Sequence, residues 1–196
     1  MLKLITPPAA ELITVEEAAE FMRAEFSDSE ETLIEALIST ARLMCEEYLF
    51  RRIGVQTVEL RDKGFPVNNA PIVLPAPLRS VTSIKYLDSN NVEQTLDSDE
   101  YIVSDSEPGL IIPLNSWPVA SGAGDSLRVR FVAGYDDSDP GESPATGIAL
   151  PQTIKTAMLM QIADLFENRD AQVEKPLVAN QTLVNLLSPY RLEMGT

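Results

Sequence analysis

The spacing of apolar residues changes period twice along this 196-residue chain, and that change limits the folds open to it. Leu33, Ile34, Leu37, Ile38, Ala41, Met44, Cys45, Tyr48 and Leu49 recur at steps of three and four. Such steps lay them on one stripe of a long helix. Asp28 with Glu31 marks its start, and the pattern predicts an end near Arg51 or Arg52, before Gly54. A shorter helix over 15–26 is expected ahead of it. Thr14 and Glu17 form its capping box, each side chain satisfying a backbone N–H of the other residue.

Beyond Gly54 the period drops. "VQTVEL", "PIVLP", "VTSIKYL", "VEQTL", "EYIVS", "LIIP" and "LRVRFVAGY" are short, rich in β-branched or aromatic residues and separated by turn residues. They read as strands. Asp88-Ser89-Asn90-Asn91 reads as a hairpin turn, because asparagine tolerates positive φ. Pro71, Pro75 and Pro77 flank "IVL" and predict a short edge strand, since proline cannot donate to a ladder. Trp117-Pro118 and "ASGAGD" form a loop before the last strand.

The helical period then returns. Pro151 suits a first helical turn, and Ile154, Ala157, Met158, Ile162, Leu165 and Phe166 form an apolar stripe that Asn168 is placed to stop. "AQVEKPLVAN" reads as a mobile linker. "QTLVNLLSPYRLEMGT" reads as one short helix, then Pro189 and a tail.

Helices, then strands, then helices describe an α+β chain rather than an alternating α/β one. The expected organisation is a helical bundle with an inserted antiparallel sheet, or barrel-like region. Residues 1–53 supply the N-terminal helix pair and 54–136 the β insertion. An acidic loop follows over 137–150, the closing helix over 151–170, and a linker, short helix and tail over 171–196.

Composition excludes several chemistries. The chain has no histidine and one cysteine, so Ser–His and Cys–His pairs, histidine metal ligands and a structural zinc cage are out of reach. Cys45 sits on the apolar stripe and reads as a small buried hydrophobe. A formal net charge of −15 opposes tight binding to a phosphate backbone. It suits a protein that sits near DNA without adhering to it, although solubility alone also accounts for the charge. No apolar run approaches the ~18 residues of a membrane span, and the N-terminus lacks the apolar segment of a secretory signal, so a cytoplasmic product is expected.

Specific motifs are weak. The acidic run Asp136, Asp137, Asp139, Glu142 places Gly141 where a calcium-loop glycine belongs, but its twelfth position is Gly147 rather than a bidentate glutamate. A solvated loop fits better. Paired carboxylates could hydrolyse a glycoside, but no feature selects a pair among 30 acidic residues. No Ser-x-x-Lys spacing supplies a histidine-free nucleophile. "SGAGDS" and "GYDDSDPGES" match neither a dinucleotide nor a Walker loop. No catalytic residue, cofactor or metal is expected.

Within "LRVRFVA", Leu127, Val129, Phe131 and Ala133 fall on one face of a strand and Arg128 and Arg130 on the other. Two readings compete for these arginines. They could pair with carboxylates across the same sheet. They could instead meet carboxylates of a second copy, since acidic subunits that pack together need a basic flank.

Three stretches resemble the tailed-bacteriophage head–tail connector family, also called head-completion or adaptor proteins. "ITVEEAAEFMRAEFSDSEETLIEALISTARLMCEEYLFRRI" is similar to the family's N-terminal helix pair. "LPAPLRSVTSIKYLDSNNVEQTLDSDEYIVS" through "WP" to "VRFVAGY" is similar to the β insertion of its larger members. "LPQTIKTAMLMQIADLFENRD" is similar to its closing helix, with Pro151, Ile154, Ala157, Leu159, Glu167, Asn168 and Arg169 in the usual places. The Asp88–Asn91 turn departs from the expected Asp-x-x-Gly type.

The resemblance implies a structural virion protein without enzymatic activity. It would form a homo-oligomeric ring of about twelve subunits below the portal protein. That ring would extend the DNA channel and dock the next neck or tail protein, with DNA passing through unbound and no membrane involved. A C-terminal segment carrying Leu183, Val184, Leu187, Tyr190 and Leu192 would reach the portal, unless it folds back on its own domain. Glu16, Glu17, Glu20, Glu25, Glu30 and Glu31 are the candidates for lining the channel, where carboxylates would keep the duplex mobile. Another neck or tail-completion protein is the alternative, and a carboxylate-based acid hydrolase a remoter one.

Overall fold

The computed structural model describes residues 1–23, 28–136, 147–168 and 181–192. In chain order these form β1 (Leu2–Thr6), α1 (Val15–Met22), α2 (Asp28–Leu49), β2 (Gln56–Asp62), β3 (Ile72–Leu74), β4 (Leu78–Leu87), β5 (Glu93–Thr95), β6 (Tyr101–Ser104), β7 (Gly109–Pro113), β8 (Leu127–Ala133), α3 (Gln152–Glu167) and α4 (Gln181–Leu187). The chain is mixed α+β, with four α-helices and two antiparallel sheets among the described residues. Both sheets are open, so the barrel-like alternative does not hold.

Two compact units divide the chain. The β unit comprises Met1–Ala9 and Gly54–Tyr135. Its larger sheet has the order β1-β2-β8-β4-β5 and its smaller one β3-β7-β6. Their inward faces share one core, with Val58, Ile84, Val129 and Phe131 from the larger sheet and Ile72, Leu74 and Ile111 from the smaller. The alternation in β8 places Leu127, Val129, Phe131 and Ala133 in that core, as its spacing predicts. Phe65 joins the core's edge. It stacks on Trp117 at 5.0 Å and meets Tyr86 edge-on at 5.4 Å, while the Trp117 indole N–H donates to the Ala70 carbonyl at 2.9 Å.

The short strand between prolines is β3, and it lies at a sheet edge as expected. The predicted turn closes the β4–β5 hairpin. Asn91 takes φ 59°, and the Asp88 carboxylate accepts the Asn90 and Val92 N–H groups at 2.8 and 3.0 Å. Asparagine therefore supplies the left-handed residue that a glycine would otherwise provide.

Gly134 follows β8 at φ +129°, and a Cβ there would stand 2.0 Å from the Gly54 carbonyl oxygen. The two chain ends that enter and leave this unit thus pass backbone to backbone. Glycine is required by both the dihedral and the contact.

The helical unit comprises residues 10–53 with the described part of 136–193. Ile34, Ile38, Ala41, Cys45 and Leu49 of α2 are buried, as are Ile154, Ala157, Met158 and Ile162 of α3. Thr14 caps α1 by accepting the Glu17 N–H at 3.2 Å. That helix ends at Met22 rather than at residue 26, because Arg23 turns left-handed at φ 52° and its N–H returns to the last turn. The long helix α2 likewise stops at Leu49, with Phe50 at φ 57°, ahead of the expected Arg51 or Arg52. Residues 24–27, the acidic loop from 137 to 146 and the linker over 169–180 lie outside the described residues.

One buried ion cluster holds the end of α2. Glu46 accepts Arg42 and Arg52 Nη1 at 3.1 Å each and the Ile53 N–H at 2.9 Å. Arg42 Nε reaches Glu11 at 2.8 Å. Burial opposes the charge on Arg42, but Glu11 and Glu46 outweigh it and hold the guanidinium above its ordinary range.

Candidate functional site

The outward face of the larger sheet carries an ordered charge array. Cross-strand register puts Lys3, Glu59, Arg130 and Ser83 in one row and Arg61, Arg128, Lys85 and Thr95 in the next. Glu59 accepts Arg130 Nη2 at 2.8 Å and Arg61 Nε at 2.8 Å. Arg61 also reaches Asp125 at 3.2 Å. Glu93 takes Lys85 at 2.9 Å and Arg128 from the other side. Arg128 and Arg130 therefore pair across their own sheet.

Each of these pairs shares a carboxylate between two cations. Burial would raise the Glu59 carboxyl, but the hydrogen bonds from Arg130 and Arg61 outweigh it and hold it below the ordinary range. Glu93 is held low first by Lys85 and then by Arg128. The Glu59 side chain is 6% exposed, whereas those of Arg130 and Lys85 are each 44% exposed. Glu59 thus lies beneath its two arginines, whereas Glu93 and Asp125 share the solvent-facing surface with their cations.

The five residues expected to reach the portal lie at the end of α2, within their own unit. Leu187 is buried, and Leu183 and Val184 are half-buried. These three line a cavity of about 370 Å³ with Met44, Cys45, Glu47, Tyr48 and Gln161. The Tyr190 carbonyl accepts Arg51 Nε at 2.6 Å, and the Leu192 N–H donates to the Leu49 carbonyl at 3.0 Å. The Arg191 guanidinium stands 5.0 Å over the Tyr48 ring. The segment is thus seated on its own helices.

Of the acidic channel candidates, Glu16, Glu20 and Glu31 are exposed. Glu17 pairs with Lys155 at 2.8 Å. Glu30 is half-buried, and Glu25 lies outside the described residues. The Glu16 carboxyl is lowered first by its own backbone N–H and then by Thr14, as befits a first helical turn.

No reactive constellation emerges among the described residues. No group of three or more His, Cys, Asp or Glu is placed to hold a metal ion there. Cys45 is buried, and burial followed by the Glu46 charge pushes its thiol up to about 12. No helix among the described residues is long and apolar enough to cross a membrane.

Sequence reasoning named Arg128 and Arg130 but missed their partners. The signal was present: Glu59 and Arg61 alternate in "VELRD" with the same period of two. Lys3 was missed because "LKLIT" was not read as a strand.

The array is thus a charged, internally paired sheet face on a two-unit α+β fold. No protein-family model and no curated protein matches this chain. Solved structures do share its fold. A chain in the virion of a native gene transfer agent particle superposes with a TM-score of 0.75 at 17% identity, over 100% of this chain and 97% of that one. A chain in the neck of an empty gene transfer agent particle, computed with C6 symmetry, gives 0.73 at 17%. One in the neck of the native particle, computed with C12 symmetry, gives 0.73 at 16%. Each of these last two is also covered to 97% by the whole of this chain.

Proposed function

We propose that this chain is a structural subunit of the neck of a tailed phage or phage-like particle, and that it acts as a head–tail connector. About twelve copies form a ring below the portal, extend the DNA channel and receive the next neck protein. The observation that carries this reading is the whole-chain likeness to chains of gene transfer agent particles, two of them in necks. The likeness spans both units rather than one common substructure.

In this reading the helices within 1–53 and 151–170 form the ring body, and 54–136 is the insertion. Exposed Glu16, Glu20 and Glu31 are the carboxylates available to face DNA. They would repel phosphates and keep the duplex mobile, which a conduit requires. Leu187 anchors the C-terminal segment on α2, and the half-buried Leu183, Val184, Tyr190 and Leu192 offer the portal their remaining exposed surface with the segment seated there. Arg128 and Arg130 belong to the contact between copies. The subunit performs no catalysis.

Removal of the gene from its particle tests the role. The expected result is DNA-packaging heads that carry portal but no tail, restored by the gene in trans. Intact tailed particles from the deletion strain would overturn it.

A further inference from the structure

Charge in the β unit is segregated to a degree that its cross-strand pairs do not explain. Lys3, Arg61, Lys85, Arg128 and Arg130 share the outward face of the larger sheet with Glu59, Glu93 and Asp125, leaving two positive charges in excess. Between Lys85 and Arg128 the chain has no cation at all, yet six acidic residues besides Glu93 and Asp125. Asp97, Asp99, Glu100, Asp105 and Glu107 of this stretch are exposed and bracket β6 at both ends.

The two regions belong to opposite layers. The core lies between the sheets, so the outward face of the larger sheet and that of the β6–β7 hairpin point away from each other. On the hairpin Ile111 is buried, so Ile112 and its cross-strand partner Ile102 face outward, 37% and 52% exposed. The acidic residues frame that apolar pair.

We propose that the cationic face of one copy receives the β6–β7 hairpin of the next. Carboxylates of Asp99 and Asp105 would reach the unfilled donors of Arg128, Arg130 and Lys85. The aliphatic stems of those cations would cover Ile102 and Ile112. Positive and negative patches on opposite sides of one subunit give a head-to-tail contact, the kind that closes into a ring. The proposal rests on the connector reading above and specifies which surfaces meet.

A charge-swap experiment on the full chain tests it. Lys85→Glu with Arg128→Glu reverses the basic face at the two cations that pair with exposed Glu93, away from the buried Glu59 pair. Asp99→Lys with Asp105→Lys reverses the acidic frame. Native mass spectrometry would follow wild type and both variants, alone and with portal rings, and circular dichroism would confirm that each is folded. We expect the oligomer fraction to fall about tenfold in either variant alone, since like-charge contacts suppress docking. An equimolar mixture should restore it, because alternating copies regain opposite charges at every contact. Oligomers of wild-type abundance from either variant, or no recovery on mixing, would overturn the pairing and leave the connector reading standing. No wild-type association under any condition would overturn both.

Discussion

Arg130 donates to Glu59 at 2.8 Å, and the carboxylate it meets is almost wholly buried while the arginine is not. Neighbouring strands thus place an anion beneath a cation. Charge reversal at Arg130 and at its strand neighbour Arg128 has different consequences. Arg130→Glu sets a second carboxylate against buried Glu59 and should cost about 3 kcal/mol. Arg128→Glu faces only the exposed Glu93 and should cost under about 1 kcal/mol. Chemical denaturation of the two single variants checks this order; equal losses would contradict it.

The same pair sets an acid limit on the β unit. The folded Glu59 carboxyl titrates below its unfolded value of about 4.3. In that window the unfolded chain binds more protons, so stability rises with pH. The contribution is complete above the unfolded value and is lost as pH falls through the folded one. Glu59→Gln should flatten stability against pH below about 5. An unchanged slope in that variant would show that Glu59 does not govern the acid transition.

Gly134 and Gly54 make the β unit intolerant at one point. Gly134→Ala forces a Cβ to 2.0 Å from a carbonyl oxygen at a left-handed φ. The backbone must shift, and a loss above about 3 kcal/mol is expected, beyond the usual cost of strain alone. Gly122→Ala is the control: it also has positive φ, but its Cβ meets nothing within 4 Å. Thermal melts of the two should differ clearly, with Gly134→Ala much the lower.

In the helical unit Glu46 binds three donors while 2% exposed. Glu46→Ala removes the carboxylate from Arg52, leaves Arg42 only Glu11 and strips the Ile53 N–H of its acceptor, and should cost about 3 kcal/mol. Buried Cys45 supplies the probe. With its thiol pushed up to about 12, it should resist a thiol reagent at neutral pH in the folded wild type and react far faster in Glu46→Ala. Equal labelling rates would contradict the predicted opening.

Seven of the eight strands were legible because the β-run alternates and its turns carry asparagine and proline. The first strand was not. "LKLIT" offers little alternation, and its partner β2 lies more than fifty residues away, so tertiary pairing decides its state. Helix ends were also hidden, since Arg23 and Phe50 take left-handed angles that their residue types do not announce. Arg128 and Arg130 stood out by spacing, but their carboxylates depend on register across three strands. The C-terminal segment was legible as amphipathic, yet sequence alone left open whether its apolar side chains meet another protein or, as the structure places them, the end of α2.

Electron cryomicroscopy of purified particles carrying a tagged copy of this chain tests the central claim most directly. The account predicts one closed ring of copies directly beneath the portal, coaxial with the DNA and present in every tailed particle. Tag density elsewhere on the particle, or tailed particles without the chain, would contradict it.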